Sequence, residues 1–337
     1  MNEIAKRYQV KLGLVPTHLK FVGGLVPDEQ GRLPRTSAGK LIVVDNVASL
    51  MQQSRVPIDC VQVPSFPGVN ADDVAELVAG LRELGADVNY ILMVGGADPI
   101  KPADEDRVVA MLIDGLQSAE RQGIRLVSST SIETWMGADS TPQIGAAFEA
   151  AVAQNVKVHT RAFRESGVNN IDSWHIEFLR QGEFQTFTDI GKCWSFVSAA
   201  NKALGRNFFK VLVDAAHCGD SSLSITENAA VIREIADADS LGVFHASAKT
   251  TRGCLSTDDG WIGALLTECA TTGKLQHVFV EVFHHQDPAL AGLRQLDPRH
   301  GVDTCDGRSY DQVVLDGLAD VARRLNNLVN RGLLTHQ

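Results

Sequence analysis

The sequence predicts an α/β fold, a (β/α)8 TIM barrel, with a doubly wound open sheet as the fallback. Three observations carry this prediction. Short apolar β-type runs alternate with helical patterns about eight times along the 337 residues, and strands never follow one another in a cluster. Acidic residues and histidines stand where the runs of the second half stop, which is the end of a barrel strand that carries chemistry. Neither GxGxxG after the first run nor GxxxxGK[ST] anywhere is present, which removes the usual nucleotide-binding reasons for an open sheet. The chain is therefore expected to form a single barrel domain over 1–337 with an extended first βα loop.

In chain order, the first strand is expected over 10–15, followed by His18 and then by residues 23–40. That stretch is rich in Gly and Pro (Gly23, Gly24, Pro27, Gly31, Pro34, Gly39), and reads equally as a substrate lid and as an inert insertion. A helix is expected over 43–53 and a strand over 58–63, ending in Pro64-Ser65-Phe66-Pro67. Asn70 can cap the helix over 71–84, because its short side chain accepts from the free N–H groups of a first turn. The third strand spans 88–94 and closes on Gly95-Gly96, with a helix over 104–122. The fourth spans 124–127 and ends in Ser128-Ser129-Thr130, with a helix over 141–154. Beyond it, strand 173–178 ends at Glu177 and is followed by a helix over 188–204. The stretch FFKVLVDAAHCGD (208–220) is a buried strand over 208–213 that stops at Asp214, with His217 in the loop and a helix over 226–238. Strand 241–244 terminates at His245, with its helix at 259–272. Strand 278–282 carries Glu281, and 310–329 is the closing helix.

Composition narrows the function classes. No run of 18 uncharged apolar residues occurs and MNEIAKRYQV has no apolar h-region, so neither a membrane span nor a signal peptide is expected, and the expected location is cytoplasmic. Six cysteines are scattered without a CxxC, which points to thiols in a reducing compartment. A net charge of −10 without a basic cluster argues against nucleic acid as partner. A small-molecule substrate is the expectation. The apolar faces of 71–84 and 310–329 fit helices packed on a barrel, and any surplus would go to a homo-oligomer, with a hetero-subunit left open.

Glu177, Asp214, His245 and Glu281 stand at the ends of consecutive strands, separated by 37, 31 and 36 residues. A barrel of roughly 250 residues has units of about 31, so each interval is one βα unit and the four side chains converge on one mouth. Three carboxylates and an imidazole suit Mn²⁺, Mg²⁺, Co²⁺ or Zn²⁺. Taken singly, a DxxH is common by chance, Glu177 fits a solvated strand end, and His245 fits a hydrogen-bonded core histidine. It is the conjunction at unit spacing that makes a site.

At these residues the chain resembles the xylose isomerase-like TIM-barrel superfamily, which includes sugar isomerases, ketose 3-epimerases and related dehydratases. The resemblance covers residues 171–285. It implies one divalent metal ion, Mn²⁺ first, held by Glu177, Asp214, His245 and Glu281. The D-x-x-H of the epimerase branch matches Asp214 and His217. Its substrate arginine, H-x(5)-R, corresponds to Arg252, which stands one residue further along in HASAKTTRG. The branch's E-x-x-N-R is absent, since Glu177 is followed by Phe178-Leu179-Arg180.

The resemblance implies proton abstraction next to a carbonyl through an enediolate, with Glu177 and Glu281 as catalytic carboxylates on opposite faces of a sugar and His217 and Arg252 binding its oxygens. His18 is a further candidate for substrate binding, and Glu133 and Trp135 for a sugar-stacking wall; Lys249, His284 and His285 lie near the same strand ends. His159 and His175 read as structural. Return of the proton makes an isomerase or epimerase. Loss of a β-substituent makes a lyase, for which His217, His284 or His285 would serve as the extra acid. A multi-metal phosphodiesterase is disfavoured, because the second and third strand ends read VPSF and VGGADP, without His or Glu. A non-catalytic binding or regulatory barrel remains a reading of a different class. Free sugars are favoured over phosphorylated ones, since no Gly-rich phosphate loop follows the last two strands.

Overall fold

Runs that are apolar on both faces have to be covered on both sides, by the barrel interior on one and by helices on the other. The structure, a computed structural model that describes residues 3–17, 23–137, 141–287 and 290–336, has this arrangement. Strands β1 (Lys11–Val15), β2 (Cys60–Ser65), β3 (Asp87–Leu92), β4 (Leu126–Ser129), β5 (Ser173–Ile176), β6 (Phe209–Asp214), β7 (Leu241–Ala246) and β8 (His277–Glu281) close in sequence order into one parallel barrel. Closure is made by β8 on β1, where Val15 stands opposite Glu281. Val15, Cys60, Leu126, Leu212, Val243 and Phe279 pack into one buried cluster.

The helices are α1 (Ile42–Gln53), α2 (Ala71–Glu83), α3 (Glu105–Arg121), α4 (Ala146–Ser166), α5 (Ile190–Leu204), α6 (Ala215–Asp220), α7 (Ile225–Asp237), α8 (Trp261–Thr271), α9 (Leu290–Leu296) and α10 (Tyr310–Asn330). Asn70 caps α2 as expected, accepting from Asp72 N–H at 3.0 Å. The helix expected over 141–154 begins later and runs to Ser166. Gly145 sits at φ 56° before it, buried Val158 and Ala162 continue its apolar face, and Gly167 ends it in the left-handed region. Among the described residues no helix is long and apolar enough to cross a membrane.

Two features were not anticipated. Strand β6 passes directly into the short helix α6, whose first turn Asp214 caps by accepting the His217 N–H at 2.7 Å. The link between β8 and α10 also carries structure of its own, α9 and a 3-10 turn at Val302–Thr304. Asp303 ties that link to the loop after β7 by accepting from Cys254 N–H and the Thr251 hydroxyl, both at 3.0 Å. The 23–40 loop is fastened to α2: Asp73 accepts the Leu33 N–H at 2.8 Å, and Arg35 pairs with Asp73 at 2.9 Å and with Glu76 at 2.6 Å.

Strands β1 and β2 approach so closely that a Cβ on Gly13 would lie 2.2 Å from the Cys60 carbonyl oxygen. Gly13→Ala is therefore expected to lower the unfolding free energy by about 1–3 kcal/mol, the range for overpacking a filled interior. Urea denaturation checks this, and an unchanged midpoint would contradict the close approach.

Candidate metal centre

The barrel places Glu177, Asp214, His245 and Glu281 around one point, with one ligand atom of each within 4.8 Å of all the others. Asp214 is the last residue of β6 and pairs in register with His245 of β7. Glu281 ends β8, and Glu177 follows β5 with its N–H still donating to Ser129 O at 3.0 Å. His245 Nδ1 faces all three carboxylates, at 3.3 Å from Glu281, 3.6 Å from Glu177 and 3.9 Å from Asp214.

Glu177, Asp214 and His245 are buried and Glu281 is half-buried, and burial penalises like charges held together. Burial, with Glu281 and Glu177 beside it, pushes the Asp214 carboxyl well above its ordinary range. Burial also raises Glu177. At His245 burial alone would favour the neutral ring, but Glu281 and Glu177 outweigh it and raise the pKa well above its usual value. One oxygen of Asp214, Oδ2, is buried with no hydrogen-bond donor among the described residues. Converging carboxylates, an orphaned buried oxygen and a ring nitrogen turned toward them form a donor set that fits a divalent cation with mixed oxygen and nitrogen ligands.

His217 lies beside this cluster, with Nε2 3.5 Å from Glu177 Oε1. Its Nδ1 accepts from the Arg180 N–H at 3.1 Å and from the Arg252 guanidinium at 2.8 Å, so the ring carries its proton on Nε2, facing the cluster. Burial, with Arg252 and Arg180 close by, pushes its pKa well down and keeps the ring neutral. Arg252 reaches His217 even though it stands one residue late. Thr250 and Arg252 both adopt left-handed backbone, at φ 66° and 50°, in the segment that carries the extra residue. Such conformations cost on the order of 1–3 kcal/mol each.

Sequence reasoning missed the roles of five residues here: Arg180, Glu183, Asp297, His300 and Gln62. Glu183 accepts from Arg252 at 2.7 Å and from Arg180 at 3.1 Å, and Asp297 accepts from the far side of Arg180 at 2.9 Å. His300, from the β8–α10 link, is fully buried with both ring nitrogens lacking a hydrogen-bond partner among the described residues. Its pKa is pushed down to about 3 by burial and by Arg252 and Arg180. The fifth, Gln62 of β2, is bonded to His245. The polar Gln62 inside the buried CVQV run was a usable signal; the others stand in loops whose pairing depends on the barrel.

The remaining expectations divide by contact. His18 lies outside the described residues. Glu133 accepts the backbone N–H groups of Gln185, Thr186 and Phe187 and so shapes the loop after β5. Trp135 is 53% exposed and its Nε1 donates to Glu183 at 3.4 Å, beside the Arg252 network. Lys249 lies over the Trp261 ring at 5.1 Å. His284 Nε2 bonds Arg308 O at 2.9 Å and His285 Nδ1 bonds the Thr304 hydroxyl at 2.9 Å, so both rings brace the β8–α10 link. His159 bonds Ser131 and Asn155 O, and His175 bonds Ser173 and the Val243 N–H, as structural histidines do.

No protein-family model matches the chain. No curated protein matches it in sequence. Solved structures do match. D-psicose 3-epimerase with D-tagatose from Clostridium cellulolyticum H10 superposes with a TM-score of 0.67 at 18% identity, over 94% of this chain and 99% of that one. D-allulose 3-epimerase from a Methylomonas species in complex with D-allulose gives 0.70 at 15% identity, over 96% and 100%. The 3-keto-D-glucoside 4-epimerase from E. coli gives 0.55 at 13% identity, over 85% and 97%. The fold is thus the (β/α)8 barrel that these epimerase structures share.

Proposed function

We propose that the protein is a divalent-metal-dependent isomerase or epimerase of free sugars that moves a proton next to a carbonyl through an enediolate. The observation that carries this reading is the placement of two carboxylates, Glu177 and Glu281, within one buried cluster with Asp214 and His245, next to a neutral His217 and a held Arg252. The epimerases of similar fold support it. Glu177, Asp214, His245 and Glu281 would hold the ion, Mn²⁺ by preference, which supplies Lewis-acid stabilisation of negative charge developing on a sugar oxygen.

The chain's own groups do the rest. Glu177 and Glu281 approach the substrate from opposite faces, one taking the proton and the other returning it. Burial keeps Glu177 basic enough for that exchange, since its pKa is raised. His217 donates its Nε2–H to a substrate oxygen. Arg252 strengthens that donor by filling Nδ1, and its own charge is balanced by Glu183. His300, with two unpartnered nitrogens, offers one donor and one acceptor, which matches a hydroxyl of the sugar.

The lyase alternative needs a surplus acid. His284 and His285 are both engaged in the β8–α10 link, which leaves His217, already assigned to a substrate oxygen, as the acid a lyase would have to use. Metal-loaded protein incubated in D₂O with a panel of free keto sugars and oxidised glycosides tests the choice. Deuterium in the recovered sugar or its epimer is the expected result. An unsaturated product would establish the lyase, and bound metal without exchange on any substrate would overturn the catalytic reading.

A further inference from the structure

His245 has two ring nitrogens and only one can serve a metal, so its tautomer matters. Its Nδ1 faces the three carboxylates, while Nε2 lies 2.7 Å from Oε1 of Gln62, a buried side chain on β2 across the barrel. An amide can turn either way, and its orientation here is fixed by the next contact: Gln62 Nε2 donates to the Ser128 hydroxyl of β4 at 2.7 Å. That hydroxyl in turn has a committed proton, which it donates to Tyr90 O of β3 at 3.2 Å. The Tyr90 carbonyl can only accept, so every bond in the series has one direction. Ser128 gives its proton to Tyr90 and accepts from the Gln62 amide, which leaves Gln62 Oε1 to accept from His245.

We infer that Gln62, held by Ser128, is the positioning residue that keeps the proton of His245 on Nε2 and so presents the bare Nδ1 to the divalent ion. This rests on the metal reading given under Proposed function. Turning the amide over would leave its oxygen against a hydroxyl whose proton is already used on the Tyr90 carbonyl. Partners that donate or accept at the free nitrogen of a ligating histidine fix the ring and tune its basicity, and their loss costs roughly 10- to 100-fold in metal affinity.

The test uses the full chain and Mn²⁺ or Zn²⁺ alone. Gln62→Leu is expected to raise the Mn²⁺ dissociation constant by about 10- to 100-fold, whereas Gln62→Glu, which keeps an acceptor, is expected to restore tight binding. Long-range ¹⁵N–¹H spectra of the Zn²⁺-loaded wild-type protein should place the His245 proton on Nε2, a readout that does not depend on whether the leucine variant folds. Unchanged Mn²⁺ affinity in Gln62→Leu, or a proton found on Nδ1 in the loaded wild type, overturns the inference alone. A wild-type chain that binds neither ion overturns the metal reading and this inference with it.

Discussion

Asp214→Asn is expected to abolish tight binding of a divalent cation while leaving the barrel folded. The aspartate has two separable tasks. Oδ1 caps α6 by accepting the His217 N–H, and Oδ2 turns into the cluster without a donor. Asparagine caps a helix about as well as aspartate, so the first task survives. The second does not, because removing a full negative charge and a ligand oxygen should cost more than the roughly 10- to 100-fold attached to an outer partner. Calorimetric titration with Mn²⁺ measures it directly. Thermal unfolding gives a second readout: about 2.7 kcal/mol of added stability is expected for the wild type at roughly 100 times its dissociation constant, and none for the variant. Equal metal affinity in the two proteins would remove Asp214 from the site.

The second large effect falls on turnover with the metal retained. Glu177→Gln and Glu281→Gln each keep a neutral oxygen where the carboxylate stood, so more binding than activity should survive. Each is expected to lose about 10²- to 10⁴-fold in kcat, the usual contribution of a positioned acid or base. The two variants should differ in a telling way. If the carboxylates serve opposite faces, each single variant still exchanges the proton of the epimer that faces the surviving carboxylate, without converting it. Solvent-deuterium uptake into each pure epimer reads this, and full turnover in both variants would sink the mechanism.

The barrel and the quartet of its candidate metal centre were legible in the chain because both depend on local pattern repeated at a fixed interval. A buried parallel strand is a short apolar run, and its chemically useful end is the first polar residue after it. Asp214 and His245 announce themselves in this way, and closure of the ring then carries them to one place. The capped start of α2 was readable for a similar reason, since Asn70 bonds within its own turn. Arg252 was located by its neighbours, yet its reach could not be judged, because the left-handed turns at Thr250 and Arg252 that accompany the extra residue leave no compositional mark.

What the chain determined by itself was therefore the number of βα units, the mouth at which they converge and the ionisable groups at the strand ends, all set by periodicity and strand length. Only the tertiary structure decided how those groups are held. Gln62 meets His245 across 183 positions, Arg180 meets Asp297 across 117, and Glu183 meets Arg252 across 69. Side-chain partners of that kind are chosen by register, loop path and the need to satisfy buried polar groups, which act through space and leave no spacing rule in the sequence.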